Sequence, residues 1–118
     1  MGAAVSWFEI PAHDPQALVR FYHSAFGWTA NQYPGMDYYL LDTNAKGAGI
    51  SGAITGHEHL QSPATTLYVQ SLDDAVRAVE SNGGRVISEK MSVPNGTYAY
   101  AADPEGNVFG MLQQSNPP

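Results

Sequence analysis

The sequence contains no cysteine, so disulfide bonds, thiolate nucleophiles and cysteine-ligated metal sites are excluded. It has only five Lys and Arg residues against eleven Asp and Glu residues, which gives a formal net charge of −6. A chain this acidic lacks the basic surface that attracts nucleic acids or anionic lipids. We therefore expect no nucleic-acid partner and no membrane partner.

Long apolar runs are also missing, because no stretch approaches the ~20 residues that are needed to cross a bilayer. The first residues lack the basic stretch and apolar core of a signal peptide, which makes a cytoplasmic location the default expectation. The 118 residues, 43% of them hydrophobic, match the size and composition of one globular domain.

The first half of the chain has the pattern of a strand, a helix and three further strands. Residues 5–10 are rich in β-branched and aromatic side chains, which is typical of a strand. Asp14 and Pro15 suit the start of a helix, and Gly27 suits its end. Between them, apolar residues follow at helical spacing: Leu18, Phe21, Tyr22, Ala25 and Phe26. Three candidate strands then lie at about 28–33, 37–42 and 48–54.

The same order returns after a polar segment. Residues 64–70 resemble a strand, and Leu72, Ala75, Val76 and Val79 have helical spacing. Candidate strands follow near 85–89, 96–102 and 107–113. We therefore predict a single domain over 1–118, with module one at about 4–55, a linker at about 56–63 and module two at about 64–114. The predicted fold class is α+β: two βαβββ modules forming an eight-stranded cupped mixed sheet, an incomplete barrel with its helices on the outside.

Several short motifs occur in a characteristic order. They are Phe8-Glu9-Ile10-Pro11, Phe21-Tyr22, Phe26-Gly27-Trp28, Asn82-Gly83-Gly84 and Asp103-Pro104-Glu105-Gly106-Asn107. Together they resemble the vicinal oxygen chelate superfamily, which contains glyoxalases, bleomycin resistance proteins and dioxygenases. The resemblance covers about residues 4–114 and is closest to a small glyoxalase-like subgroup, many of whose members have no assigned function.

The resemblance implies a divalent-cation site inside the cup, with side chains from the first and last strands of each module. In this sequence the four positions fall on Val5, on Ser51 or Gly52, on Ala64 and on Gly110. None is a competent metal ligand, apart from weak help from Ser51. We therefore expect no metal and no other cofactor, which argues against glyoxalase, extradiol dioxygenase and fosfomycin-type transferase chemistry.

The two-residue period of strands predicts which side chains face the cup. One of Tyr38 and Tyr39 should face inward, and so should Tyr98 and Tyr100 together if the phase of their strand is as drawn. The predicted ligand-binding residues are Trp7, Glu9, Tyr39, Thr66, Tyr68, Tyr100, Val108 and Leu112. Such an aromatic cup suits a flat, mostly apolar ligand. The alternative is that these side chains fill the cup as core.

Glu9 is the candidate catalytic residue, because its flanking residues are apolar and a partly desolvated carboxylate can act as a general base. It could equally anchor a ligand amine or hydroxyl, or pair structurally with a tyrosine or an arginine. His57 and His59 have a spacing that can hold a metal ion, but they lie in the predicted linker. We interpret them as a solvated loop that could bind metal incidentally.

These observations favour a metal-independent binding protein for an aromatic or drug-like small organic molecule, of the glyoxalase and bleomycin-resistance type. The resemblance also implies a homodimer. The alternative is an enzyme of the superfamily, a lyase, isomerase or oxygenase-like protein that uses Glu9 as base or an unconventional metal site. A third possibility is a structural or regulatory module whose cup is filled by its own side chains.

Overall fold

A computed structural model of the protein describes residues 2–56, 60–93 and 95–115. The chain divides into two compact units. We call Trp7–Pro63 the first unit, and we call Met1–Ser6 together with Ala64–Pro118 the second unit. Strand β1, Val5–Ala12, contributes to both, since only its first two residues belong to the second unit.

The first unit has the predicted order of elements. After β1 come helix α1 (Pro15–Phe26) and strands β2 (Thr29–Gln32), β3 (Tyr38–Asp42) and β4 (Gly52–Gly56). The strands lie in the order β2-β3-β4-β1, with β4 and β1 parallel and the other pairs antiparallel. Strand β4 begins later than predicted, because Asn44, Gly47 and Gly49 have positive φ angles that keep the preceding segment in a loop.

Helix α1 forms where its capping residues predict. The Asp14 carboxylate accepts a hydrogen bond from the Ala17 amide at 3.1 Å, and Gly27 ends the helix in the left-handed conformation. Leu18, Val19 and Tyr22 of the helix pack against a core of the unit formed by Ala12, Tyr39, Leu41 and Ile54. The predicted apolar stripe is only partly buried, because Phe21 and Phe26 remain exposed.

The second unit contains strands β5 (Ala64–Tyr68), β6 (Arg85–Val86), β7 (Met91–Val93), β8 (Gly96–Ala102) and β9 (Val108–Gln114), and helix α2 (Leu72–Ser81). Its strands lie in the order β5-β9-β8-β6, and β7 also pairs with β8. Only β5 and β9 are parallel. Helix α2 packs through Leu72 against Ala99, Ala101 and Met111.

One predicted strand of the second unit is wrong in extent. The expected strand at 85–89 ends at Val86, and the separate strand β7 was not predicted. The ladder is interrupted because the Ser88 hydroxyl, in place of a backbone carbonyl, accepts the hydrogen bond from the Tyr100 amide at 2.8 Å. The α+β class and the βαβββ order of both halves are confirmed, with β7 as an addition. Of the described helices, none is long and apolar enough to cross a membrane.

Candidate functional site

The sheet of the first unit has one face covered by α1 and a second face, which we call its distal face. Phe8 and Ile10 pack with the core beneath α1, so the alternating residues Trp7 and Glu9 lie on the distal face. The register also pairs Tyr38 with Thr55 and Tyr39 with Ile54. The distal face of this unit therefore presents Trp7, Glu9 and Tyr38.

Glu9 is the buried carboxylate of this distal face, with an exposed fraction of only 3%. The Tyr38 hydroxyl donates a hydrogen bond to Glu9 Oε2 at 2.8 Å. Since burying a carboxylate without a hydrogen-bond partner is costly, this phenol stabilises the position of Glu9. The arrangement matches the pairing with a tyrosine hydroxyl that was one of the alternatives for this residue.

Tyr39 lies on the other face from Glu9. It belongs to the core beneath α1 together with Leu41 and Ile54. The structure thus places Tyr38 beside Glu9. The prediction that Tyr39 faces the same side as Glu9 is therefore wrong. The sequence could not show which of the two tyrosines faces the core, because residues 38–41 are all apolar or aromatic and do not alternate with polar residues.

The distal face of the second unit, the face remote from α2, brings together the other predicted residues. In register, Thr66 and Tyr100 each pair with Gly110, while Tyr68 and Tyr98 each pair with Leu112. The distal face therefore carries Thr66, Tyr68, Tyr98, Tyr100, Val108 and Leu112. The two-residue alternation of the strands places these residues on one face, and their part in ligand binding stays a prediction.

Tyr98 is the residue of this face that was not selected as a site residue. Its hydroxyl lies 2.6 Å from the Thr66 hydroxyl in a buried hydrogen bond in which either group can donate. Its ring meets the ring of Tyr100 edge-on, with the centroids 5.1 Å apart. The alternation of Tyr98-Ala99-Tyr100-Ala101 indicated the face of Tyr98 but not its partner, which belongs to a strand 32 residues away.

The metal position that the resemblance assigns to residue 110 is occupied by the Tyr98 side chain. A Cβ atom at Gly110 would overlap with the hydroxyl and ring carbons of Tyr98. The resemblance left a second metal position open between Ser51 and Gly52. A Cβ atom at Gly52 would meet the Phe8 ring, 2.7 Å from Cδ1, and Phe8 packs on the α1 side of the sheet. The neighbouring Ser51 supplies only a neutral hydroxyl.

The residues at these positions do not fit a divalent cation. Val5 and Ala64 are apolar, Gly110 has no side chain and a tyrosine lies over it. Within residues 2–56, 60–93 and 95–115, no three His, Cys, Asp or Glu side chains form a group that could hold a metal ion. His57 and His59 lie outside the described residues.

A cavity of about 370 Å³ lies beneath the loop that joins β3 to β4 in the first unit. It is lined by residues 42–51, including Asp42, Lys46 and Ser51. None of the predicted ligand-binding residues lines this cavity. Asp42 is already engaged, since its carboxylate accepts a hydrogen bond from the Asn44 amide at 2.7 Å.

One mixed sheet and two helices, in two halves of βαβββ order, define the class of fold, and comparison with known proteins identifies the family. Residues 4–111 match the model of the Glyoxalase/Bleomycin resistance protein/Dioxygenase superfamily. The chain belongs to this superfamily. No curated protein matches the chain significantly.

Solved structures show the same fold at low sequence identity. Methylmalonyl-CoA epimerase from Mycobacterium tuberculosis is 16% identical, with a TM-score of 0.63 over 98% of this chain and 89% of that chain. A superfamily member from Vibrio splendidus 12B01 is 16% identical, with a TM-score of 0.67 over 97% and 100%. A Streptomyces coelicolor methylmalonyl-CoA epimerase variant in complex with 2-nitronate-propionyl-CoA is 12% identical, with a TM-score of 0.64 over 95% and 97%.

Proposed function

We propose that this chain is a metal-independent binding protein for a small organic molecule with an aromatic or otherwise largely apolar skeleton. The observation that carries the proposal is the Tyr98 ring and hydroxyl lying over Gly110, where the superfamily resemblance implies a metal ligand. The buried phenol fills this place and forms a hydrogen bond with the Thr66 hydroxyl. It does not offer the charged or imidazole donor that a divalent cation needs.

Each distal face, taken by itself, supplies the two kinds of contact that such a ligand requires. Trp7 and Tyr68 keep part of their aromatic surface accessible, and Tyr68 is 37% exposed. Aromatic surfaces of this kind bind flat organic molecules by offset stacking. The buried pairs Glu9–Tyr38 and Thr66–Tyr98 hold polar groups in fixed positions, which is how largely apolar pockets orient their ligands.

A thermal-shift screen of aromatic and drug-like compounds tests this proposal. Because a ligand that binds only the folded state must stabilise it, at least one compound should raise the melting temperature. The same shift should persist after exhaustive chelation. Tyr68→Ala should weaken binding about tenfold, since an aromatic anchor contributes on the order of 1–2 kcal/mol.

Ile87→Ala is the matched control, because Ile87 is also 37% exposed but is aliphatic and lies outside the predicted ligand residues. Its affinity for the same compound should equal that of the wild type. A screen in which no compound shifts the melting temperature would count against the proposal. A shift that is lost on chelation would contradict its metal independence.

A second candidate function is an enzyme in which Glu9 abstracts a proton from a bound substrate. The specific observation is the buried Glu9 carboxylate, oriented by the Tyr38 hydroxyl at 2.8 Å. A fixed carboxylate is a suitable general base for an isomerase or a lyase. Methylmalonyl-CoA epimerases are among the structural neighbours, so acyl-thioester substrates belong in the assay panel.

Glu9→Gln tests this candidate, because it keeps the size of the side chain and removes its basicity. The variant should bind substrate and lose turnover by at least about a hundredfold, the usual contribution of a general base. Tyr38→Phe should keep the base and lower turnover by less. Full activity of Glu9→Gln would rule out the role of Glu9 as base and leave the binding proposal intact.

A further inference from the structure

Two asparagines of the chain are followed by glycine, at Asn82-Gly83 and at Asn95-Gly96. This dipeptide is chemically labile, because glycine has no Cβ atom to shield its backbone nitrogen from the preceding side-chain amide. Both asparagines are exposed, so access to solvent does not distinguish them. Their surroundings in the second unit do differ, and this difference separates a protected site from a reactive one.

Asn82 is the C-terminal cap of helix α2, and its side chain is held there. Its Nδ2 donates a hydrogen bond to the Ala78 carbonyl at 2.7 Å, and its backbone amide is shared between the carbonyls of Ala78 and Val79, each at 3.2 Å. Its ψ angle of 19° also turns Cβ away from the Gly83 nitrogen. A bond between that nitrogen and the Asn82 side chain can therefore form only after the end of the helix opens.

Asn95 lies in the turn between β7, which ends at Val93, and β8, which begins at Gly96. Its backbone carbonyl accepts a hydrogen bond from the Ser115 amide at 2.9 Å. No hydrogen bond joins its side chain to any residue that the structure describes. The fold thus fixes the backbone of Asn95 and leaves its side-chain amide able to rotate toward the next nitrogen.

Gly96 is required by the packing of β8 against β9. It pairs with Gln114, and a Cβ atom at this position would overlap with the carbonyl oxygen of Gln113. A larger residue that would shield the backbone nitrogen therefore does not fit here. The contact that places β8 also preserves the reactive dipeptide.

We propose that Asn95 is a site of spontaneous deamidation and that the fold protects Asn82 from the same reaction. The Gly96 nitrogen loses its proton and bonds to the side-chain carbonyl carbon of Asn95, while the bond from that carbon to Nδ2 breaks and ammonia leaves. Water then opens the cyclic imide at either of its carbonyl carbons, which gives aspartate or isoaspartate. No atom is oxidised or reduced, and solvent water is the only other reactant.

The modification changes the start of the strand that carries Tyr98 and Tyr100. Either product adds a negative charge at residue 95, and isoaspartate also inserts a methylene group into the backbone before Gly96. The carbonyl that accepts the hydrogen bond from Ser115 then no longer belongs to the main chain. The reaction needs no bound ligand, so the proposal goes beyond small-molecule binding and does not depend on it.

Peptide mapping by mass spectrometry tests the proposal on the folded full chain, incubated at mildly alkaline pH in water labelled with heavy oxygen. Label should enter residue 95 as both aspartate and isoaspartate. Conversion should be at least about tenfold faster at Asn95 than at Asn82, since Asn82 must first give up the hydrogen bonds that hold it. In the same chain unfolded in urea, the two rates should be similar, because the protection by the helix is lost.

Asn95→Gln is the matched control, because it keeps an amide at an exposed position while its longer side chain closes the ring far less readily. It should abolish labelling at residue 95 and leave the rate at Asn82 unchanged. Equal rates at Asn82 and Asn95 in the folded chain would overturn the proposal. So would a folded chain that stays unmodified at Asn95 while the unfolded chain reacts at both sites.

Discussion

The two units share an order of strands and helix but differ in the size of the residues that lie beneath the helix. In the first unit, Phe8, Tyr22, Trp28 and Tyr39 gather on the side of α1. In the second unit, small residues such as Ala99 and Ala101 lie beneath α2, and the tyrosines of β8 point to the distal face. The module order therefore fixes where apolar residues are needed, and it leaves the chemistry of the distal face free to vary.

The polar pairs on the distal faces differ accordingly. Glu9 and Tyr38 form a carboxylate–phenol pair in the first unit, and Thr66 and Tyr98 form a hydroxyl–hydroxyl pair in the second. The first pair offers a proton acceptor of carboxylate strength, whereas the second offers only neutral hydrogen-bonding groups.

The largest expected effect is at Gly110, on the distal face of the second unit. Gly110→Ala should lower the free energy of unfolding by about 3 kcal/mol, because the new Cβ overlaps with the Tyr98 side chain in a packed region. In the background of Tyr98→Ala the same substitution should cost less than about 1 kcal/mol. Urea denaturation of the four proteins measures both values.

Gly56→Ala in the first unit is the matched control. A Cβ atom there comes no closer than 3.3 Å to another atom, the Cβ of Asp37, so the cost should stay within about 1 kcal/mol. An equal cost for Gly110→Ala with and without Tyr98 would show that this tyrosine does not take the place of a side chain at residue 110.

An intermediate effect on stability is expected when the side chains that cap the starts of the two helices are removed. Helix α1 has one side-chain acceptor at its start, Asp14, while α2 has the Ser71 hydroxyl and also Gln113 Oε1, which accepts from the Leu72 amide at 2.7 Å. Asp14→Ala should cost about 1 kcal/mol of stability, and Ser71→Ala with Gln113→Ala should cost about 2 kcal/mol. Thermal or urea unfolding provides the comparison. Equal losses would mean that Gln113 adds nothing to the capping of α2.

The smallest expected effect is at the turn before β9. Asn107 donates hydrogen bonds to the Asp103 carboxylate from its side chain and from its backbone amide. Both lower the pKa of Asp103 from its ordinary value of 3.8, and the side-chain bond has the larger effect. A lowered pKa means that the ionised form favours the folded state. Its contribution to stability is therefore present above about pH 4 and is lost as the pH falls through the folded pKa.

Carboxyl-carbon NMR titration measures the pKa of Asp103 directly. Asn107→Ala should move it upward toward its ordinary value, since the side-chain donor is removed. A titration that is identical in the variant and the wild type would assign the shift to the backbone donors alone.

The sequence predicted the elements whose signals are local. Helix α1 begins after Asp14 and ends at Gly27 because each residue meets the needs of the nearby backbone by itself. Strand β8 alternates tyrosine with alanine, so its two tyrosines had to share a face. Residues 38–41 of β3 are all apolar or aromatic, so the sequence does not show which of them face the core.

The remaining features depend on contacts between segments that are distant in sequence. Strand β7 has three residues and forms through pairing with β8. The Thr66–Tyr98 pair needs the register of both strands with β9, and no local pattern encodes it. The exposure of Phe21 and Phe26 likewise follows from how α1 sits on its sheet, since their spacing alone predicted burial.

The most direct test of metal independence is elemental analysis of untagged protein combined with ligand binding, on a variant in which His57 and His59 are replaced by alanine. This removes incidental chelation by the only histidine pair with metal-binding spacing. We predict no stoichiometric metal and the same affinity for the best compound of the screen before and after chelation. One equivalent of tightly held iron, zinc, nickel or manganese, with binding lost when that metal is removed, would contradict the account.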